Sequence, residues 1–478
     1  MRRKPTFWES ISCLLVMGIT IGVGFGYFKI GIQPLLILSA AYAAYIGKRV
    51  GLTWGEMEKA ISVRLGNCMP AIFILFAVGI VIGTWVYSGT VPMMIYYGLK
   101  IINPTFFLVT AFIIVSIVSV ATGTAWGSTA TAGVALMGIA SELGIPLPMA
   151  AGAIIAGGVF GDKLSPLSDT TNLAAMVCEV NLFDHIKHML YTTIPASIVG
   201  MLVFLFVGFQ MDSNTANNEG VVTILSQLDS IYNWNVLMLL PFVVIFWGAF
   251  YKKPTVPIML FSSIVAVFVG MFSNGFSFVD GFQSMVNGFN VSMIHNGIET
   301  SALSEAVSKL INRGGIFSMT TIAVTIICGY AFAGIVEAAG CLDVILDSFY
   351  SRVKSVAQLI GVTILGSAAI VFTAGVASIS IIMIGTLLKD AYIKMGLHPK
   401  NLSRTLEDAG TMLLPFVPWG VSGIFYLEVL GVGPGSFWIW AIPCYLCIVF
   451  AMIYGITGIG IAKVKEMETS SKKTVIIE

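Results

Sequence analysis

Two short stretches hold most of the side chains that could do chemistry. FGDKLSPLSDTTNLAA, residues 160–175, sets Asp162, Lys163, Ser165, Ser168, Asp169, Thr170, Thr171 and Asn172 close together, and SRTLEDAGTMLLPFVPWGVSG, residues 403–423, adds Arg404, Glu407, Asp408, Thr411 and Trp419. SVATGTAWGSTATAG (119–133) and VFTAGVASISIIMIG (371–385) bring Thr122, Thr124, Ser128 and Thr373. Carboxylates, hydroxyls and freed backbone carbonyls are the oxygen donors that a small hard cation such as Na+ takes, without nitrogen or sulfur. Asp162, Ser168, Asp169 and Thr170 are the set expected to hold Na+. A carboxylate in an apolar setting is costly unless paired or bound to a cation. Asp162, Asp169, Glu407 or Asp408 can therefore hold a proton or Na+, but holds both poorly. A site that moves only when loaded with one or the other exchanges them.

Each residue also has a plainer reading. Asp162 beside Lys163, and Arg404 four residues before Asp408, could be structural ion pairs. Asp169 before two threonines could be a helix N-cap. Trp126 and Trp419 could be packing or interface anchors. His185 and His188, in DHIKH, have a spacing compatible with a metal but read as a cytoplasmic loop.

The surroundings of these polar islands are apolar. Of 478 residues, 57% are hydrophobic and only 10% charged, with mean hydropathy +0.93, against roughly 25% charged in a soluble domain. The chain reads as an all-α integral membrane protein. Its net charge of +1 offers no nucleic-acid surface, because the basic residues sit at the ends of apolar runs. The seven cysteines are scattered and imply no disulfide framework; the Cys444–Cys447 CxxC has no second pair. MRRKPTFWES opens a first span that reads as retained rather than cleaved.

Apolar runs near 11–28, 32–47, 70–87, 105–121, 190–209, 236–250, 256–271, 317–338, 357–372 and 437–458, with interrupted ones near 122–141, 149–183, 373–394 and 404–428, give about fourteen crossings at about 20 residues each. Strict alternation from an inside N-terminus puts Lys48, Arg49, Lys59, Arg64, Lys187, Lys252, Lys253, Arg352, Lys354, Lys389, Lys394, Lys400, Arg404 and the tail from Lys463 inside, as cytoplasmic loops require. Lys29, Lys100, Lys309 and Arg313 are the exceptions. The chain also resembles itself: Gly83 aligns with Gly334, Gly89 with Gly340 and Thr122 with Thr373, while GDKLSPL (161–167) aligns with GTMLLPF (410–416). An odd number of crossings per half inverts one half against the other. Inverted repeats with interrupted helices in matching places are the signature of secondary transporters. The division expected is a first membrane repeat (1–210), an extracytoplasmic linker (211–235), a second, inverted repeat (236–460) and a cytoplasmic tail (461–478).

GDKLSPLSDTTNLA, ATGTAWGS and SRTLEDAGTMLLPFVPW together resemble the signature segments of the NhaC family of Na+/H+ antiporters, over nearly the whole chain. The resemblance implies a multi-pass carrier, not an enzyme, in the bacterial plasma membrane, with both termini cytoplasmic. It implies a mobile transport domain moving past a scaffold, elevator-like, in a homodimer, with Na+ and H+ as cargo and no cofactor. On this sequence Asp162, Ser165, Ser168, Asp169, Thr170, Thr171 and Asn172 match the first signature, Thr122, Thr124 and Ser128 the broken helix before it, and Glu407, Asp408, Thr411, Pro415 and Trp419 the second. The chain departs from the pattern at Ala175 and Met176 after NLA and at Gly420 after PW, positions that bear on ion or substrate preference. Within the same family are carriers exchanging malate for lactate with protons and Na+; there, Lys163 or half-helix ends could meet an organic acid. An intramembrane aspartyl hydrolase would also need two membrane carboxylates, but GVFGDK is one residue too long for its GxGD motif.

Overall fold

In hydrocarbon a chain must satisfy its own backbone, and the helix does so segment by segment. The computed structural model describes residues 3–28, 30–211, 219–251, 253–295, 303–350 and 353–464. Within them the chain forms α-helices joined by short 3₁₀ and π turns, with two isolated backbone bridges, Phe289 to Arg313 and Leu397 to Lys463. Lys29, Lys252, Arg352 and the tail beyond Val464 lie outside the described residues.

The first half runs α1 (Phe7–Ile21), α2 (Ile32–Arg49), α3 (Trp54–Ser88), α4 (Thr90–Ile101), α5 (Phe107–Thr122), α6 (Ala125–Ser128), α7 (Val134–Glu142), α8 (Leu147–Leu164), α9 (Asp169–Val177) and α10 (Leu182–Phe209). The second runs α11 (Glu219–Ile231), α12 (Leu240–Phe250), α13 (Thr255–Asn274), α14 (Phe278–Asn287), α15 (Glu305–Ile311), α16 (Thr320–Ala338), α17 (Cys341–Tyr350), α18 (Val356–Ala374), α19 (Ala377–Lys394), α20 (Lys400–Leu406), α21 (Val421–Leu430), α22 (Pro434–Phe437) and α23 (Ile442–Thr457). Among the described residues seven helices are long and apolar enough to cross a membrane, and up to ten spans result if each bent pair counts once. The larger sequence expectation also counted runs that become short helices, such as the 11-residue α12 and the 16-residue α23.

Capping residues set the helix starts. Thr6 with Glu9, and Thr53 with Glu56, form reciprocal capping boxes that open α1 and α3, each a contribution of about 1 kcal/mol. Asn181 accepts from the backbone of Phe183 and Asp184, so α10 begins before the DHIKH stretch and carries it into the molecule. The stretch expected as a cytoplasmic loop is therefore helical, with His185 and His188 buried.

Glycines bring the helices together. Gly157 of α8 lies so close to α5 that an added Cβ would stand 2.5 Å from the Phe112 carbonyl oxygen, and Gly161 meets the Ser116 carbonyl in the same way. The segment between α15 and α16 locks onto α3 through the Gly315 N–H, which donates to the Gly79 carbonyl at 2.7 Å. Two hydrophobic cores result. One gathers α3 to α8 with α13 and α21 to α23; the other gathers α1, α2 and α17 to α20. Large apolar side chains such as Phe206, Phe250, Phe272 and Ile456 face outward, a surface suited to lipid rather than water.

Candidate functional site

The helix breaks come first, because they place everything else. Between α5 and α6, Gly123 takes φ +70 and Thr124 is extended; between α18 and α19, Gly375 takes φ +69 and Val376 is extended. Glycine adopts that left-handed turn without the penalty of a Cβ. Matching the breaks by backbone conformation pairs Gly123 with Gly375, which puts Thr122 opposite Ala374, one residue away from the pairing with Thr373 expected from sequence identity.

Each break crosses another. Residues 165–168, between α8 and α9, pass against Gly123, where a Cβ would stand 2.6 Å from Leu167 Cβ. Residues 412–420 pass against Gly375, where a Cβ would stand 3.1 Å from Gly420 Cα. Side chains pin the crossings. Ser165 Oγ donates to the Val120 carbonyl at 2.8 Å, and Trp419 Nε1 donates to the Phe372 carbonyl at 2.6 Å. Trp126 joins the two crossings, donating from Nε1 to Ser422 Oγ at 3.0 Å and stacking on Phe425 with ring centroids 5.1 Å apart.

Asp162, near the end of α8, faces the first crossing. Its carboxylate meets the backbone N–H of Ala125, the first residue of α6, and the hydroxyl of Ser168, the N-cap of α9. Two helix N-termini thus place positive dipole ends against one carboxylate. Ser168 Oγ also lies 3.2 Å from Thr170 Oγ1. Asp169 is the first residue of α9, not its cap, and is exposed. Of the four expected Na+ ligands, Asp162, Ser168 and Thr170 therefore adjoin one another, while Asp169 lines a cavity of about 510 Å³ with Thr122, Leu167, Pro70, Val256 and Lys253. At the second crossing the pocket between Thr373, Gly375, Tyr330 and Trp419 has only about 10 Å³. Access to the two crossings is unequal.

The other hydroxyls mostly serve the backbone. Thr122, Ser128 and Thr373 donate to carbonyls one turn back in their own helices, and Thr171 donates to the Lys163 carbonyl at 3.0 Å. Thr124 Oγ1 accepts from the Gly127 N–H, capping α6, and Asn172 Nδ2 donates to the carbonyls of Pro166 and Ser168. Their oxygens keep lone pairs, and Thr122 and Thr124 line one small pocket together with Thr131, Lys253 and Thr255.

Lys163 turns away from Asp162, since consecutive helical residues point about 100° apart at 3.6 residues per turn. Fully buried, it pairs across the two halves with Asp408 Oδ1, which also accepts from Thr192 Oγ1 at 2.9 Å. The expected alternatives, Asp162 with Lys163 and Arg404 with Asp408, give way to this pair. Arg404 instead donates to the Gly460 carbonyl at 2.9 Å and lies over the Tyr454 ring. Asp408 and Glu407 belong to a buried π-helical turn, Glu407–Thr411. The Glu407 carboxylate faces the Thr411 hydroxyl, and no well-formed hydrogen bond reaches either oxygen of Glu407, Oδ2 of Asp408 or Oγ1 of Thr411. His185 Nδ1 bonds Ser403 Oγ at 2.8 Å and His188 Nε2 bonds Asn401 Oδ1 at 3.1 Å, along the face of α10 that carries Thr192.

Sequence reasoning missed Thr192, Lys253 and the Ala125 N–H. Thr192 sits in an ordinary apolar run and Lys253 reads only as a loop charge; for the Ala125 N–H, the break at Gly123 was the available signal.

The comparisons with known proteins fit this arrangement. Residues 158–459, which hold both crossings' second members and the Lys163–Asp408 pair, match a family described as the Na+/H+ antiporter family. An uncharacterized Na+/H+ antiporter of Haemophilus influenzae is 43% identical over 97% of this chain and 98% of its own. The Na+/H+ antiporter NhaC of Alkalihalophilus pseudofirmus is 35% identical over 97% and 98%. The malate-2H+/Na+-lactate antiporter of Bacillus subtilis is 35% identical over 95% and 96%. With its apolar spans and broken helix pairs, this multi-pass membrane chain belongs to the Na+/H+ antiporter family.

Proposed function

We propose that the chain exchanges Na+ for H+ across the bacterial plasma membrane, as a carrier rather than an enzyme. The observation that carries this reading is the meeting of two broken helices at Asp162, one carboxylate among hydroxyls, beside an open cavity. Such breaks are tolerated in a membrane only where buried in protein or lining a water-filled space. Na+ reaching Asp162 displaces a proton, and the proton returning displaces Na+. The cavity carries Lys253, which the charge pattern places on the cytoplasmic side with both termini. The wide first crossing and the nearly closed second one suit a carrier open to the cytoplasm, with the two halves as inverted repeats and a transport domain moving past a scaffold. The homodimer implied by the family resemblance is part of the proposal, and its mass in detergent tests it.

A second reading, an organic-acid antiporter, draws support from the malate-2H+/Na+-lactate relative. Lys163 does not favour it, because Asp408 already neutralises that charge; Lys253 in the cavity is the cation that remains accessible. The test is purified protein in proteoliposomes with an internal pH dye. Proton movement on adding Na+ alone supports cation exchange. A response only when malate or lactate is present on the two sides moves the assignment to the organic-acid reading.

A further inference from the structure

Glu407 and Asp408 are neighbours in sequence, equally buried, and in opposite circumstances. Asp408 is committed: one oxygen takes both the Lys163 ammonium and the Thr192 hydroxyl. Glu407 faces only the hydroxyl of Thr411, one turn on, and no well-formed hydrogen bond reaches either carboxylate oxygen or that hydroxyl. A buried polar group without a partner is rare in a native fold and asks for a ligand. The charges facing Glu407 are Lys163 and Asp162 from α8 and Asp408 from its own turn. The turn also packs on α9, α18, α19 and α23. Among these, α18 contains no ionisable side chain, Asp169 of α9 faces the cavity, and Lys389 of α19 pairs with Glu179. From α23 Cys447 adjoins the Lys163–Asp408 pair. Arg404 of the adjoining α20 lies near Asp408 but donates to the Gly460 carbonyl; Lys163 is the cation that faces Glu407, and Asp408 holds it.

Resting on the exchanger reading above, we propose that the two acids have separate roles. Glu407 with Thr411 is a second ion site, which binds a proton or a monovalent cation in exchange, and Asp408 is the fixed counter-charge of Lys163. A protonated Glu407 needs no counter-ion; an ionised one takes Na+ with Thr411 Oγ1 as a further oxygen ligand. The π turn supports this chemistry, because its wider winding sets both side chains into the interior, and such turns recur at functional positions.

The test uses full-length protein in liposomes and dicyclohexylcarbodiimide, an apolar reagent whose C=N bond adds the O–H of a buried protonated carboxyl. The O-acylisourea so formed rearranges, its acyl C–O bond breaking as an acyl C–N bond forms, and mass spectrometry maps the stable N-acylurea. The expected adduct is on Glu407, and Na+ suppresses it in a concentration-dependent way while choline does not. Glu407→Gln removes the adduct and lowers Na+-driven proton movement to the level of protein-free liposomes. The double variant Lys163→Met with Asp408→Leu, which replaces the pair by apolar groups of similar volume, keeps the Na+-suppressed adduct on Glu407. An adduct on Asp408 in place of Glu407, a Glu407 adduct indifferent to Na+, or sustained exchange by Glu407→Gln overturns the proposal. If the double variant is not monodisperse, the wild-type adduct map decides alone. Wild-type liposomes that move protons only with an organic acid refute the Na+/H+ reading, while the labelling still reports on Glu407.

Discussion

At the scale of single residues, Asp162 and Lys163 show how neighbours in one helix come to do different things. Asp162 looks into the first crossing and Lys163 into the interface between the halves. Asp162→Asn keeps a group able to meet the Ala125 N–H and the Ser168 hydroxyl but removes the exchangeable charge. Proton movement driven by Na+ should fall to background while the melting temperature in detergent stays within a few degrees of wild type, a span of about 1 kcal/mol; sustained exchange would remove Asp162 from the mechanism. Lys163→Ala acts differently. It leaves Asp408 buried and unpaired, and single truncation of such a pair costs about 3–5 kcal/mol. A large drop in melting temperature is expected, largely restored by adding Asp408→Leu; failure of that rescue would mean the pair is not the main energetic contact of Lys163.

At the scale of elements, the breaks were legible and their partners were not. Glycine, proline, serine and threonine inside apolar runs mark where a membrane helix opens, so Gly123, Ser165 to Ser168, Gly375 and the stretch before Gly420 stood out in the sequence. Residue identity could not resolve a register of one, hence the shift from Thr122 with Thr373 to Gly123 with Gly375. Nor could it show that Lys163 finds Asp408 245 positions away, because spacing along a helix reports only local neighbours. The histidines of α10 misled for a related reason: charged flanks suggested a loop, while the Asn181 cap starts a helix before them. The crossing itself can be weighed. Gly144 and Gly123 both sit at positive φ, +67 and +70, but a Cβ at Gly144 meets nothing within 4 Å whereas one at Gly123 meets Leu167. Gly144→Ala should cost about 1 kcal/mol, the left-handed penalty alone. Gly123→Ala should cost more than twice that, through strain plus displacement of residues 165–168, and should also reduce transport. Equal losses in thermal melts of the two variants would show that the crossing is loose enough to yield.

At the scale of the whole molecule, the two hydrophobic cores do not coincide with the two halves of the sequence. The first-half α1 and α2 pack with the second-half α17 to α20, and the second-half α21 to α23 pack with the first-half α3 to α8. The polar turn at Glu407–Thr411 lies where those cores meet: Ala409 belongs to one and Met412 to the other. Under the proposed exchange, with the crossings moving past a fixed part, the cavity lined by Leu167 and Val256 is the gap across which that motion would occur. The corresponding experiment replaces the seven native cysteines and introduces Leu167→Cys with Val256→Cys. A bismaleimide that reductant can cleave is then applied in proteoliposomes. If the first crossing slides past α13 during each cycle, cross-linking should stop Na+-driven proton movement and reductant should restore it. Each single-cysteine variant treated alike should keep its flux. Full flux in a quantitatively cross-linked pair would mean that this gap keeps its width through the cycle, and that the moving boundary lies elsewhere, between α10 and α20 or along the seam marked by Trp126 and Phe425.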